Sequence, residues 1–260
     1  FSAADHVNCR MWTIHGQHAQ LQTINFSGTL DLAVPAAGLK DLCFSERPLP
    51  SVQLLGVSLA QKLVDVSQIS NHYARDNCLV ANYGDVLATD CHAQIQWRCL
   101  DPRPELWLGG LELIVSFEAP LLTQLPKWRT ITEIPERLIL SPGDGDALTW
   151  NPISRQGDDP QQDPTLDEDR FRMILCRSPE QNLSYLEMVH CQASWLQVFL
   201  PSPNSATEII RWGLQMPDDH LEKGVILRRV LRGVFLPLEQ DEVLARKAYQ
   251  HFLTVSPPLN

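Results

Sequence analysis

The 260-residue chain is short of positive charge: 21 Lys and Arg stand against 31 Asp and Glu, a formal net charge of −10. A surface with that balance repels nucleic acid and anionic lipid, so neither is expected as a partner. No stretch reaches the roughly 18 to 20 apolar residues that span a bilayer, and the first thirty residues lack a positively charged start followed by an apolar run. No membrane partner is therefore expected, although the chain opens at Phe1 rather than Met, which leaves room for an upstream segment. No Cys-x-x-Cys pair occurs among the seven cysteines (Cys9, Cys43, Cys78, Cys91, Cys99, Cys176 and Cys191). An odd, scattered set of this kind reads as reduced core thiols, and a cytoplasmic location follows as an expectation. Also missing are a phosphate-cradling glycine loop followed by Lys, a Gly-x-Ser-x-Gly elbow, a dinucleotide fingerprint and a His-Glu-x-x-His pair. Nucleotide-dependent chemistry and common serine hydrolysis are excluded on that ground, and no cofactor is expected.

What the sequence does have is two-residue alternation. Over 91–99 the residues Cys91, Ala93, Ile95, Trp97 and Cys99 share one face, while His92, Gln94, Gln96 and Arg98 share the other. Leu111, Leu113, Val115 and Phe117 repeat the pattern. Further strand-like runs fall at about 20–34, 52–59, 66–83, 171–176, 183–190, 196–200, 207–213 and 225–236, giving ten to twelve strands. Strand follows strand without crossover helices, so an all-β, mainly antiparallel sandwich is predicted, with a supersandwich as its larger form. One helix is predicted at about 240–253, where Leu244, Ala248 and Phe252 form an i, i+4 stripe suited to covering a sheet face. Segment 141–170, with eight acidic residues and four prolines, reads as a mobile acidic loop within a single domain spanning 1–260. The same segment could instead be a linker between two strand-rich units.

Four groups of residues could carry chemistry. His6, Cys9, His15 and His18 are all competent metal ligands, but their spacing matches no common zinc motif, and no metal site is assigned to them. In 71–77, His72 and Arg75 can hydrogen-bond hydroxyls or carboxylates, with Tyr73 and Tyr83 available to stack on a sugar ring; Trp97 falls on the apolar face and reads as core. Glu187 and His190 lie on one strand-like run and Glu222 precedes another; a carboxylate and an imidazole can take opposite protonation roles near neutral pH, so these three are the catalytic candidates. Arg228 and Arg232 interrupt an apolar strand, share a face about 13 Å apart, and read either as salt-bridged or as a clamp for the carboxylate of a sugar acid. Arg75, Glu187 and Arg228 are expected in one polar cluster, because burying any of them alone would be costly.

The strings YARDNCLVANY, QWR, LSYLEMVH and LEKGVILRRVLRGVFLP resemble an uncharacterised bacterial all-β protein family over most of 60–255. That resemblance implies a fold unit and transfers no catalytic residue. The layout also resembles the galactose mutarotase-like supersandwiches, which implies sugar binding on a concave sheet with a catalytic His and Glu; the motif around that His is not found here. Two functions remain open from the residues: carbohydrate binding or modification with His72, Arg75, Arg228 and Arg232 contacting a sugar or sugar acid, or a non-catalytic interaction module. A metal-binding protein is a third alternative.

Overall fold

The computed structural model describes residues 11–59, 69–84, 91–118, 123–124, 128–135, 138–142, 150–153, 172–190, 195–199, 209–215 and 220–255. Its strands begin with β1 (Trp12–His15), β2 (His18–Gln22), β3 (Phe26–Asp31), β4 (Lys40–Phe44), β5 (Arg47–Leu49) and β6 (Gln53–Leu59). There follow β7 (Ile69–Arg75), β8 (Cys78–Tyr83), β9 (His92–Leu100), β10 (Gly109–Glu118), β11 (Thr123–Gln124), β12 (Trp128–Pro135), β13 (Leu138–Pro142) and β14 (Trp150–Pro152). The last are β15 (Met173–Ser178), β16 (Leu183–Val189), β17 (Trp195–Phe199), β18 (Ile209–Gln215), β19 (His220–Leu221) and β20 (Ile226–Pro237), before helix α1 (Asp241–Thr254).

Among the described residues every strand pairing is antiparallel, as the hairpin-rich sequence requires. A nine-stranded sheet runs β14-β13-β15-β16-β20-β10-β9-β8-β7. Against its inner face lie a five-stranded meander, β1 to β5, and a four-stranded sheet, β17-β18-β12-β6. The meander and the four-stranded sheet are joined where Leu39 and Leu54 exchange backbone hydrogen bonds of 2.8 and 2.9 Å. Buried aromatic donors tie the nine-stranded sheet to the other layer: Trp97 Nε1 to the Leu55 carbonyl at 3.3 Å, and the Tyr83 hydroxyl to the Leu32 carbonyl at 2.9 Å.

The large apolar core fills the space between these layers and takes the alternate residues of β9 that the sequence pattern assigns inward, Ala93, Ile95, Trp97 and Cys99. A second core forms on the outer face, where Ala245, Ala248 and Phe252 of α1 cover Leu186, Met188, Val230, Val234 and Leu236. Strands β10 and β16 are buried on both faces for this reason, whereas β9 alternates buried and half-buried residues. The helix packs on β20, β16 and β15 on the outer face and leaves β7, β8 and β9 open there.

The number of strands exceeds the ten to twelve expected, because several are only two to four residues long and single long runs such as 66–83 are hairpins turned at Asp76 and Asn77. Ser141 and Pro142, together with Trp150 to Pro152, belong to paired strands rather than to the expected acidic loop. The remainder of that loop, 143–149 and 154–170, lies outside the described residues, as do His6, Cys9 and Cys191.

Candidate functional site

The register of the nine-stranded sheet stacks its open-face residues into rows. Asn71, Asn82, Gln94, Ser116 and Arg228 form one row across β7, β8, β9, β10 and β20. Two residues toward the end of the sheet, His92 of β9 pairs with Glu118 of β10, which pairs in turn with Ile226 of β20. Four residues the other way along β9 from Gln94, the row reads Arg75, Cys78, Arg98, Glu112 and Arg232. Alternation alone puts these polar side chains on one face, because their inward neighbours are the core residues named above.

A cleft of about 260 Å³ opens at the first two rows, lined by Ser70, Asn82, His92, Gln94, Ser116, Glu118 and Ile226, with Tyr83, Ala93 and Phe117 completing its walls. Its floor is prearranged: Gln94 Nε2 donates to Asn82 Oδ1 at 2.9 Å, and Arg228 Nε donates to Ser116 Oγ at 3.2 Å. His92 and Glu118 are exposed, directly opposed across two strands, and flank that floor. Cross-strand partners place their Cβ atoms about 4.5 to 5.5 Å apart, so an imidazole and a carboxylate reach the same ligand atom region. Tyr73 lies on the same face one row further, 44% exposed, opposite Val80 and Gln96.

The charged row is the most tightly bonded part of the face. Glu112, fully buried, accepts from Arg232 Nε at 3.0 Å and Nη2 at 2.5 Å through one carboxylate oxygen, and from Arg98 Nη2 through the other. Burial lowers the Arg232 pKa from its usual range while Glu112 opposes that shift. The guanidinium also sits 4.4 Å from the Phe252 ring centroid, so α1 closes over it.

The residues singled out in the sequence are scattered by this arrangement. Arg75, Arg228 and Arg232 share the outer face, Arg232 beneath α1, but Arg75 stands at the β7 edge, ion-paired with Asp76 at 3.7 Å, four strands from β20. His72 points to the inner side of β7, opposite Ala81. Glu187 lies on the inner face of β16, sealed between the layers, so Arg75, Glu187 and Arg228 do not form the expected cluster. His190 follows β16 with its ring 5.2 Å from Phe252, and Glu222 is exposed at the turn before β20. His15 and His18 are exposed, and among the described residues no group of three His, Cys, Asp or Glu side chains is placed to hold a metal.

Glu187 has its own geometry. Its Oε2 accepts from Thr132 Oγ1 at 2.6 Å and from the Tyr185 hydroxyl at 3.2 Å. Burial pushes its pKa up from 4.5 to about 7, against the opposing pull of Thr132, Tyr185 and the nearby Trp212 indole, which stops short of a full hydrogen bond. Gly233 lies opposite Glu187 because a side chain there would stand 2.0 Å from the Tyr185 hydroxyl. The pair His92 and Glu118 was legible only in part. The polar face of 91–99 contains His92, but which residue opposes it depends on β9–β10 register, a non-local property.

No family model matches the chain, and no curated protein matches it. Among solved structures it is similar to a candidate mutarotase (YeaD) from Salmonella typhimurium, with 8% identity, 85% of this chain and 90% of the other covered, and a TM-score of 0.51. It is similar to the Slr1438 protein from Synechocystis, with 8% identity, coverage of 87% and 100%, and a TM-score of 0.54. A candidate aldose 1-epimerase from Klebsiella pneumoniae gives 9% identity, coverage of 95% and 87%, and a TM-score of 0.53. At these identities what is shared is the fold: the chain is a mutarotase-like antiparallel β-sandwich with a single α-helix among its described residues, α1 near the C-terminus. Among the described residues no helix is long and apolar enough to cross a membrane.

Proposed function

We propose that the protein binds an aldose in the open-face cleft and accelerates proton transfer at its anomeric centre. The observation that carries this reading is the opposed pair His92 and Glu118 at the mouth of a cleft floored by Asn82, Gln94 and Ser116, the last held by Arg228. Amide, hydroxyl and guanidinium groups match the alternating donors and acceptors of sugar hydroxyls. Interconversion of anomers needs a base to take the anomeric hydroxyl proton and an acid to protonate the ring oxygen, and then the reverse; a carboxyl and an imidazole on facing strands are groups that can supply both. Arg228 donates to Ser116 and so fixes the hydroxyl that meets the sugar two residues from that pair. The shared fold with structures described as a candidate mutarotase and a candidate aldose 1-epimerase supports the substrate class.

The test is polarimetry on freshly dissolved α-D-glucose and α-D-galactose. The protein is expected to speed the approach to anomeric equilibrium beyond the buffer rate, and His92→Ala or Glu118→Gln to slow that rate by roughly 10²- to 10⁴-fold with an unchanged melt. A wild-type rate equal to buffer, or variants as fast as wild type, would remove the reading.

A further inference from the structure

The charged row lies too far from His92 and Glu118 to serve the same sugar ring. Arg98 and His92 are six residues apart on β9, about 20 Å at 3.3 Å per residue, several times the width of a pyranose. The row is also unbalanced, since two guanidinium groups, Arg98 and Arg232, share the single carboxylate of Glu112. Among the described residues, Nε of Arg98 and Nη1 of Arg232 have no hydrogen-bond partner although both are buried, and Arg232 itself is 3% exposed. Leaving such donors unmet is costly, and a chain of net charge −10 concentrates positive charge here against its overall trend. Arg98, on β9, is the reachable member, 26% exposed at its side chain. Around it on the same face stand Gln96 and Cys78, joined at 3.1 Å, and the exposed Tyr73 one row away.

We propose that Arg98, backed by Arg232 through Glu112, is an anion subsite that takes the carboxylate of a uronic-acid residue in an oligosaccharide lying along the open face from the His92–Glu118 cleft. This rests on the sugar reading of that face and specifies its substrate as a short acidic chain rather than a single neutral sugar. One missing negative charge matches a monoanionic carboxylate, and a guanidinium fork matches its planar geometry. Tyr73 offers an exposed ring, and Gln96 an amide, for the sugar units in between.

The experiment is calorimetric titration of the whole chain with trigalacturonate, its fully methyl-esterified form, maltotriose and glucose 6-phosphate. Trigalacturonate should bind about tenfold or more tighter than its ester and than maltotriose, and the advantage should shrink as salt rises. Arg98→Gln should erase the difference, while Arg98→Lys keeps part of it. Equal affinity for the acid and its ester overturns the subsite even if Arg98→Gln fails to fold, because that comparison uses the wild-type protein alone. Tighter binding of glucose 6-phosphate than of trigalacturonate overturns the carboxylate assignment. Polarimetry with simple aldoses separates the two ideas: catalysis without acid preference sinks only the subsite, and acid preference without catalysis sinks only the mutarotation reading.

Discussion

A carboxyl sealed between two sheets makes stability depend on pH in a direction opposite to that of a salt-bridged acid. Below about pH 4.5 Glu187 is protonated in both the folded and the unfolded chain. Between there and about pH 7 the unfolded chain ionises while the folded chain holds its proton, so stability falls as pH rises, and above about pH 7 the loss is complete. The span from 4.5 to about 7 is worth on the order of 3 kcal/mol. Glu187→Gln removes the titration, so urea unfolding of the two proteins at about pH 5 and about pH 8 should show the variant gaining that amount relative to wild type at the higher pH. A constant difference between them would mean that the carboxyl is ionised throughout.

At the scale of elements, α1 shows how a helix can be held without an ordinary cap. Gln240 precedes it in a left-handed conformation and makes no capping hydrogen bond. The first helical residue, Asp241, is instead gripped from the sheet: Arg177 donates to it through Nε and Nη2, both at 2.7 Å, and Ser184 Oγ donates to it at 2.7 Å. Asp241→Ala leaves Arg177 without its main partner and should cost roughly 3 kcal/mol, with α1 fraying from the sheet, as read by thermal unfolding and by amide exchange in 241–254. Exchange there unchanged would show that the apolar stripe alone holds the helix. That stripe is why α1 was legible in sequence, as was β9, whose apolar face is unbroken. Strand β12 was not, although its burial also alternates. Its inward residues include Thr130 and Thr132, whose hydroxyls accept from the backbone N–H groups of Leu214 and Leu55, so the core face of β12 reads as polar. A hydroxyl that satisfies a buried backbone group looks like a surface residue until its partner is known.

Over the whole molecule, antiparallel architecture and the covering helix follow from local periodicity, while the site follows from register across strands distant in sequence. Glu187 and Arg232 both stand in apolar strands, and composition cannot say that one faces the interlayer core and the other α1; a one-residue change of phase decides it. The joint between the meander and the four-stranded sheet is of the same kind. A side chain at Gly56 would meet the Ala36 carbonyl oxygen at 2.3 Å, and one at Gly38 (φ 59) the Leu54 carbonyl oxygen at 2.4 Å. Gly56→Ala should therefore push the two sheets apart and cost roughly 1 to 3 kcal/mol in urea unfolding, whereas the same change at Gly84, which has open space around it, should cost far less.

The thiols give the fold two clocks. Cys91 and Cys99 are buried free thiols facing the interlayer core, their pKa values pushed up by burial to about 11 and about 12, so a thiol reagent reaches them only when the layers part. Cys78 stands half-buried on the open face beside Arg98, and it can react through small local movements. Its labelling rate therefore reports what happens on that face while the slow pair reports on opening of the whole sandwich. An occupant lying across the Arg98 row should slow the first clock well before it changes the second, so the native chain carries its own gauge for telling surface occupancy from global stabilisation.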